Sequence, residues 1–517
     1  MVSPLLLILF LTLPFSWFFF FFQKQKNKTF PPGPKALPII GNLHQLHFPT
    51  LHIQLWKLSK LYGPLFSIKL GLRPCLVVSN SKMAQEVLKT HDIEFCGRPS
   101  FLAQNKISYN RIEIAFSAYS DSWKAIKKIC ITHFLNSSSV SKFSSIRQFE
   151  VNQMIKEISI QASSKSVINL NDAILSLTNT IISRIAFGRS YKDDKGIIVA
   201  KRLLGLLNES QALLGAFFVS DYVPFMGWID KLRGMHSLLE RSYQKFDEFL
   251  QEIVNQHLDP KRQKSDDEEE EDNVIDVLLK LKNNKEQSFP FDLTYDHIKA
   301  VLMDILIGGT YSSAATSTWA MANLMKNPKA MMKVQEEVRN FFGSKGFVDE
   351  DEIRNNNNNN VLPYLKAVIK ETLRLVPPLP LLLTRETNEA CKIGEYEIEA
   401  KTLVYVNAWA IQRDPEIWKD PEEFYPERFL KSSIDIKGQD FELIPFGSGR
   451  RICPGLNMGV ATVEIIVANL LFWFDWEIPI GMEDLDNNEV KPGIVHSKKN
   501  PLYLRAKNYY HMGVINE

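Results

Sequence analysis

The residues with the clearest capacity for chemistry lie in one short stretch, Pro445-Phe446-Gly447-Ser448-Gly449-Arg450-Arg451-Ile452-Cys453-Pro454-Gly455. Its glycines make a tight loop whose backbone can come close to a flat ligand. Cys453 sits near its end, and a helical pattern continues from about Leu456 to Phe474. A cysteine beside arginines and near a helix N-terminus is biased toward thiolate. A haem iron accepts a thiolate as axial ligand, and that ligand favours O–O cleavage. Arg451 would then pair with a haem propionate. The other cysteines, Cys75, Cys96, Cys130 and Cys391, read as inert packing. Five in all, with no CxxC pair, argue against a disulfide framework and a thiolate zinc site.

The elements that must hold this loop follow from composition and periodicity. The chain has 517 residues, 45% hydrophobic and 23% charged, enough for a large core and far from the composition of a disordered chain. With 61 basic and 59 acidic residues the net charge is +2, which argues against nucleic acid as the main partner. Pro4 to Phe22 carries no charge and ends in five consecutive phenylalanines. At about 1.5 Å per residue it spans roughly 28 Å, enough to cross a bilayer core. Lys24, Lys26 and Lys28 follow it, so the positive-inside rule keeps the body cytosolic. Pro31 to Pro34 reads as a stiff elbow, or as a plain linker. The organisation is therefore a membrane anchor over 4–22, a basic and proline-rich hinge over 23–41, and one large domain over 42–517. Lys69 to Val78 reads as a hairpin and Lys401 to Asn407 as a strand, while most of the rest has helical spacing. The class is mainly α with minor β. Asp266 to Asp272 and Asn355 to Asn360 read as solvated surface loops. The longest helical pattern runs from about Thr294 to Asn327. Gly308-Gly309 near its middle reads either as close packing against another helix or as a kink that opens space for a ligand.

The pattern F-x-x-G-x-R-x-C-x-G, carried by Phe446, Gly449, Arg451, Cys453 and Gly455, resembles the haem-thiolate loop of the cytochrome P450 superfamily. Glu371-Thr372-Leu373-Arg374 resembles that family's E-x-x-R, whose ends share a helix face and can pair. Phe424 to Phe429 resembles its P-E-R-F segment, whose arginine, here Arg428, joins that pair. Pro31 to Pro34 is similar to the hinge of microsomal members. Phe95 to Pro99 and Trp409 to Pro415 resemble the large plant class acting on specialised metabolites. The resemblance implies the P450 fold and haem b, with Cys453 as axial thiolate and metal ligand. It also implies Trp123 and Lys127 at the family's W-x-x-x-R, a lysine that keeps a propionate contact without the bidentate fork. Arg385 aligns with a second propionate ligand, or forms a surface ion pair with Glu386. Implied partners are O2, an NADPH-cytochrome P450 reductase, membrane lipid through 4–22, and a small apolar substrate lying against Pro377 to Leu383. The implied location is the endoplasmic reticulum membrane, single-pass, with the catalytic domain cytosolic.

One motif departs from the family. Where members carry an acid–alcohol pair above the haem, this chain has Gly308-Gly309-Thr310-Tyr311-Ser312-Ser313. Ser312 keeps a hydroxyl, but Tyr311 is a poor substitute for a carboxylate in proton delivery. Asp304, about 10.5 Å earlier along the axis, is too far to stand in directly. The resemblance thus implies a monooxygenase, and leaves open a haem-thiolate isomerase or dehydratase and a weakly active haem protein.

Overall fold

The computed structural model describes residues 30–188, 194–260, 273–284, 290–354, 361–482 and 489–510. The anchor segment 4–22, the hinge before residue 30, the acidic run 266–272 and the asparagine tract 355–360 lie outside the described residues. Helices dominate, as expected. Those that build the site are α1 (Asp121–Cys130), α2 (Leu170–Phe187), α3 (Asp194–Leu214), α4 (Tyr295–Lys326), α5 (Pro363–Leu375) and α6 (Leu456–Trp473).

The expected limits of the long helix are its two caps. The Thr294 side chain accepts the His297 N–H and the His297 ring accepts the Thr294 N–H, a reciprocal cap. Asn327 closes the other end, before Pro328. From Ile298 to Leu324 buried residues occur all round the helix, so α4 is an axle and not an amphipathic surface helix. Helices α2 and α6 pack against it. Helix α6 is long and apolar enough to cross a membrane by composition. Its residues Ala461 to Trp473 are instead buried inside the body, where its lack of a polar face is satisfied by neighbours on every side.

The β part is minor. Strand β1 (Leu65–Leu70) pairs antiparallel with β2 (Arg73–Val78), β2 runs parallel to β4 (Leu403–Val406), and β4 pairs antiparallel with β3 (Arg385–Glu386). The hairpin begins at Leu65, four residues before the expected start, and turns at Gly71 with φ +62°. Its two faces serve separate cores: Leu76 and Val78 pack toward Phe95 and Ile444, whereas Cys75 and Val77 pack toward Leu55 and Tyr222. The described part of the hinge lies along β1. Ser67 donates its N–H to Pro32 O at 2.8 Å and its hydroxyl to Pro31 O at 2.7 Å. A Cβ at Gly33 would collide with the Ser67 carbonyl, so only glycine lets the two backbones meet.

Candidate active site

The Cys453 loop closes one end of a cavity of about 310 Å³. Gly447 and Gly449 hold φ near +70°, and a Cβ at Gly449 would run into the Leu88 carbonyl, which explains both glycines. The Cys453 N–H donates to Phe446 O at 3.0 Å and folds the loop back on itself. Cys453 lies deep in the protein, and the surface it exposes is cavity wall. Burial raises its thiol pKa, while the Gly455 N–H and the Lys127 ammonium favour the thiolate. Lys127 therefore supplies the charge expected of the neighbouring arginines. Arg450 turns outward to Asp92, and Arg451 reaches away from the sulfur. Cys130 also lines the cavity, but burial raises its pKa with no amide donor or cation to offset it.

A basic cradle flanks the loop. Arg451 donates to the carbonyls of Cys96 at 2.9 Å, Ile114 at 3.3 Å and Ser117 at 2.7 Å, and lies 4.1 Å over the Trp123 ring. Trp123 on α1 donates its indole N–H to Ile114 O at 3.0 Å. Lys127, one turn on, donates to Arg450 O at 2.6 Å. Arg385 on β3 donates to Ser448 O at 3.2 Å, with the Asp92 carboxylate at 3.7 Å. The alternative of a surface pair with Glu386 is overturned: Arg385 is 3% exposed, and Glu386 pairs with Arg73 and Lys401. Sequence reasoning missed Arg98, fully buried on the cavity wall and bonded to the carbonyls of Ala115, Leu383 and Thr384. Its signal was an arginine set among apolar residues before Pro99.

Arg98, Lys127, Arg385 and Arg451 thus line one side of the cavity with their hydrogen bonds going almost wholly to neutral carbonyls. Burial lowers all four pKa values, to about 8 for Lys127 and about 10 for Arg451. Among the described residues the only carboxylate within ion-pair reach of these four is Asp92, beside Arg385, and partly desolvated cations so short of counter-charge call for an anion. The two carboxylates of a haem fit that side, and its iron fits the sulfur. The remaining walls are mostly apolar, drawn from Phe116, Ile307, Leu379, Leu383, Ile494 and Val495, with Asp304, Ser312 and Ser313 as polar members. Ile494 and Val495 had no sequence signal. They enter because Gln211 of α3 accepts both of their amides.

The central motif divides across α4. Gly308, Gly309, Ser312 and Ser313 line the cavity, whereas Thr310 and Tyr311 do not. The close-packing reading holds at Gly309, where a Cβ would stand 2.6 Å from Ile182 of α2; at Gly308 a Cβ would meet open space, and the helix runs unbroken through both glycines. Ser312 faces the cavity with its hydroxyl donating to Gly308 O at 2.6 Å. The Tyr311 hydroxyl points to the other side and donates to Asn208 of α3 at 2.8 Å. Thr310 and Tyr311, expected at the site, are therefore placed off the cavity wall that Ser312 lines, because successive helical residues diverge by about 100°.

The family triad is assembled on α5. Arg374 meets Glu371 through two bonds of 2.7 and 2.9 Å, and Arg428 adds a third at 3.1 Å.

Residues 31–505 match the cytochrome P450 family model. The 5-OH-xanthotoxin synthase of Pastinaca sativa is 47% identical, over 93% of each chain. The 6,7,8-trihydroxycoumarin synthase of the same plant is 45% identical, over 93% of each. Cytochrome P450 71B10 of Arabidopsis thaliana is 44% identical, over 92% of this chain and 93% of its own. Among solved structures, a zebrafish cytochrome P450 with abiraterone superposes with a TM-score of 0.72 at 24% identity, covering 89% of this chain and 99% of that one.

Proposed function

This chain belongs to the cytochrome P450 family, and from that premise we propose that it hydroxylates a flat, coumarin-like aromatic, using electrons from an NADPH-dependent reductase at the endoplasmic reticulum membrane. It is a haem-thiolate monooxygenase of plant specialised metabolism. One atom of O2 enters a C–H bond and the other leaves as water, with two electrons and two protons supplied. The haem, when bound, supplies the oxygen activation.

The residues of this chain do the rest. Cys453 would supply the thiolate ligand to the iron, since it alone of the two cavity cysteines has an amide and a cation favouring thiolate. Trp123, Lys127, Arg385 and Arg451, with Arg98, would hold the haem carboxylates. The apolar walls exclude water and orient the ring. The Ser312 hydroxyl holds a proton at the cavity wall. The isomerase and weakly active readings lose their motive, because Tyr311 lies off the cavity while the alcohol stays on it. Reductase docking falls to the exposed Lys124 and Lys128 of α1, the helix whose Lys127 bonds the Arg450 carbonyl of the Cys453 loop. The apolar segment 4–22 supplies the membrane contact.

The observation that carries this reading is a sulfur at one end of an apolar cavity, flanked by cations with almost no carboxylate partners. The test uses full-length protein in microsomes, with and without added reductase. Reduced membranes should give the thiolate-type carbon monoxide band, and a coumarin and furanocoumarin panel should be hydroxylated only with reductase and NADPH. Absence of the band, or product without reductase, refutes the assignment. Turnover of aliphatic terpenoids with no coumarin turned over refutes the substrate class.

The placement of Tyr311 and Ser312 gives a second expectation. Ser312→Ala removes a hydrogen bond worth about 1 to 1.5 kcal/mol at the wall, so product per NADPH oxidised should fall by roughly five- to tenfold. Tyr311→Phe loses only the Asn208 contact and should change that ratio less than about twofold. Equal effects in the two variants would show that the hydroxyl on the cavity side has no special part.

A further inference from the structure

A pair of acids sits where this reading needs none. Glu113 is 0% exposed and Asp304 of α4 lines the cavity. Asp304 accepts the amides of the two residues that follow Glu113, so the two carboxyls lie side by side. Two carboxyls in that contact hold one proton between them, because the doubly ionised pair repels itself in a low dielectric. Burial and each other's proximity push Glu113 well above the carboxylate range, and burial raises Asp304 less, to about 6.

The pair holds three consecutive backbone amides. Asp304 Oδ2 accepts the N–H of Ile114 at 2.8 Å and of Ala115 at 3.3 Å. Glu113 accepts the N–H of Phe116 at 2.9 Å. The carbonyls of the same segment are taken by cations and an indole: Ile114 O by Trp123 and Arg451, Ala115 O by Arg98, Phe116 O by Arg111 and Ser117 O by Arg451. The charged and titratable groups facing the pair are thus Arg98, Arg111 and Arg451, with the Cys130 thiol behind Asp304. Ile114, Ala115 and Phe116 all line the cavity. Side chains fix every polar backbone atom of this wall, and its three amides depend on the two carboxyls.

We infer that Glu113 and Asp304 are positioning residues that fix the Ile114–Phe116 wall through its amides and so determine which ligands the cavity accepts. The inference rests on the P450 reading, since the wall must face a bound haem. The amide isosteres Glu113→Gln and Asp304→Asn each supply the shared hydrogen without titrating. Leucine at either position supplies none.

The test uses the full-length holoenzyme and two probes. Imidazole reads the iron alone, while 4-phenylimidazole sets a ring against the wall. The carbon monoxide band and imidazole affinity should be unchanged in every variant, and their loss in the unsubstituted protein would refute the P450 reading itself. Glu113→Leu and Asp304→Leu should weaken 4-phenylimidazole relative to imidazole by about tenfold, the scale of a lost charge-assisted hydrogen bond. Glu113→Gln and Asp304→Asn should stay within about twofold of the unsubstituted protein. Unchanged ratios in the leucine variants, or equal losses in the leucine and amide variants, would overturn the inference. Should the leucine variants fail to hold haem, the pH profile decides. Raising the pH out of the one-proton state should weaken 4-phenylimidazole in the unsubstituted protein but not in Glu113→Gln. Superimposable profiles would overturn it, since titration of the probe cancels between proteins.

Discussion

Full-length protein carrying Cys453→Ser should lose the thiolate-type carbon monoxide band and retain less than about a thousandth of the turnover. The cavity offers two thiols, and only one sits in surroundings that favour an anion. The Gly455 N–H and the Lys127 ammonium partly offset the cost of burying a Cys453 thiolate, and iron coordination would complete that stabilisation. A serine hydroxyl titrates far too high for the same amide and ammonium to ionise it. The basic cradle does not depend on the sulfur, so porphyrin should still enter the variant at reduced affinity. Cys130→Ser provides the matched control. Cys130 lines the same cavity, and its substitution should leave the band intact. Loss of the band in Cys130→Ser, or its survival in Cys453→Ser, would move the ligand to Cys130 at the end of α1.

What could be read from the chain depended on how locally each feature is encoded. The Cys453 loop was legible because its glycines, arginines and cysteine are adjacent, and the limits of α4 because Thr294 and Pro328 punctuate it. The facing of Tyr311 was not legible. Periodicity assigns a face only when one side of a helix is polar, and α4 has buried residues all round. Tyr311 and Ser312 therefore look equivalent until α3 supplies Asn208 on one side and the cavity opens on the other. Arg98, Glu113 and Asp304 escaped for a related reason. Each acts on backbone atoms, which carry no sequence signature, and Asp304 meets its amide partners across 190 residues. Ile494 and Val495 join the wall through Gln211, nearly 300 positions away. The chemistry that could be named in advance was local, and the specificity of the cavity was not.

Glu371→Ala should remove about 3 to 5 kcal/mol, since it strands two buried guanidinium groups. That is a large part of the 5 to 15 kcal/mol that holds a typical domain together. Glu371 and Arg374 are both fully buried. Arg374 also donates to the carbonyls of Gln412 at 2.8 Å, Pro421 at 2.7 Å and Glu423 at 3.1 Å. One planar fork thus joins a carboxylate to three turns of irregular chain. Lysine has neither the donor number nor the geometry, so Arg374→Lys should fail nearly as badly as Arg374→Ala. The consequence reaches the chemistry through Gln412. Its side-chain amide donates to Leu373 O and Arg374 O, and its oxygen accepts the Ile444 N–H at 3.1 Å, directly before the Cys453 loop. With Glu371 gone, the support beneath that loop goes with the fold. The variant should accumulate with little bound haem, and what remains should melt many degrees lower. Glu371→Gln keeps two acceptor sites and one donor of the wrong sense, so its haem content should fall between the two. Normal haem content and melting temperature in Glu371→Ala would mean that the buried triad is dispensable and that the loop is held by its own glycines and the Cys453–Phe446 bond.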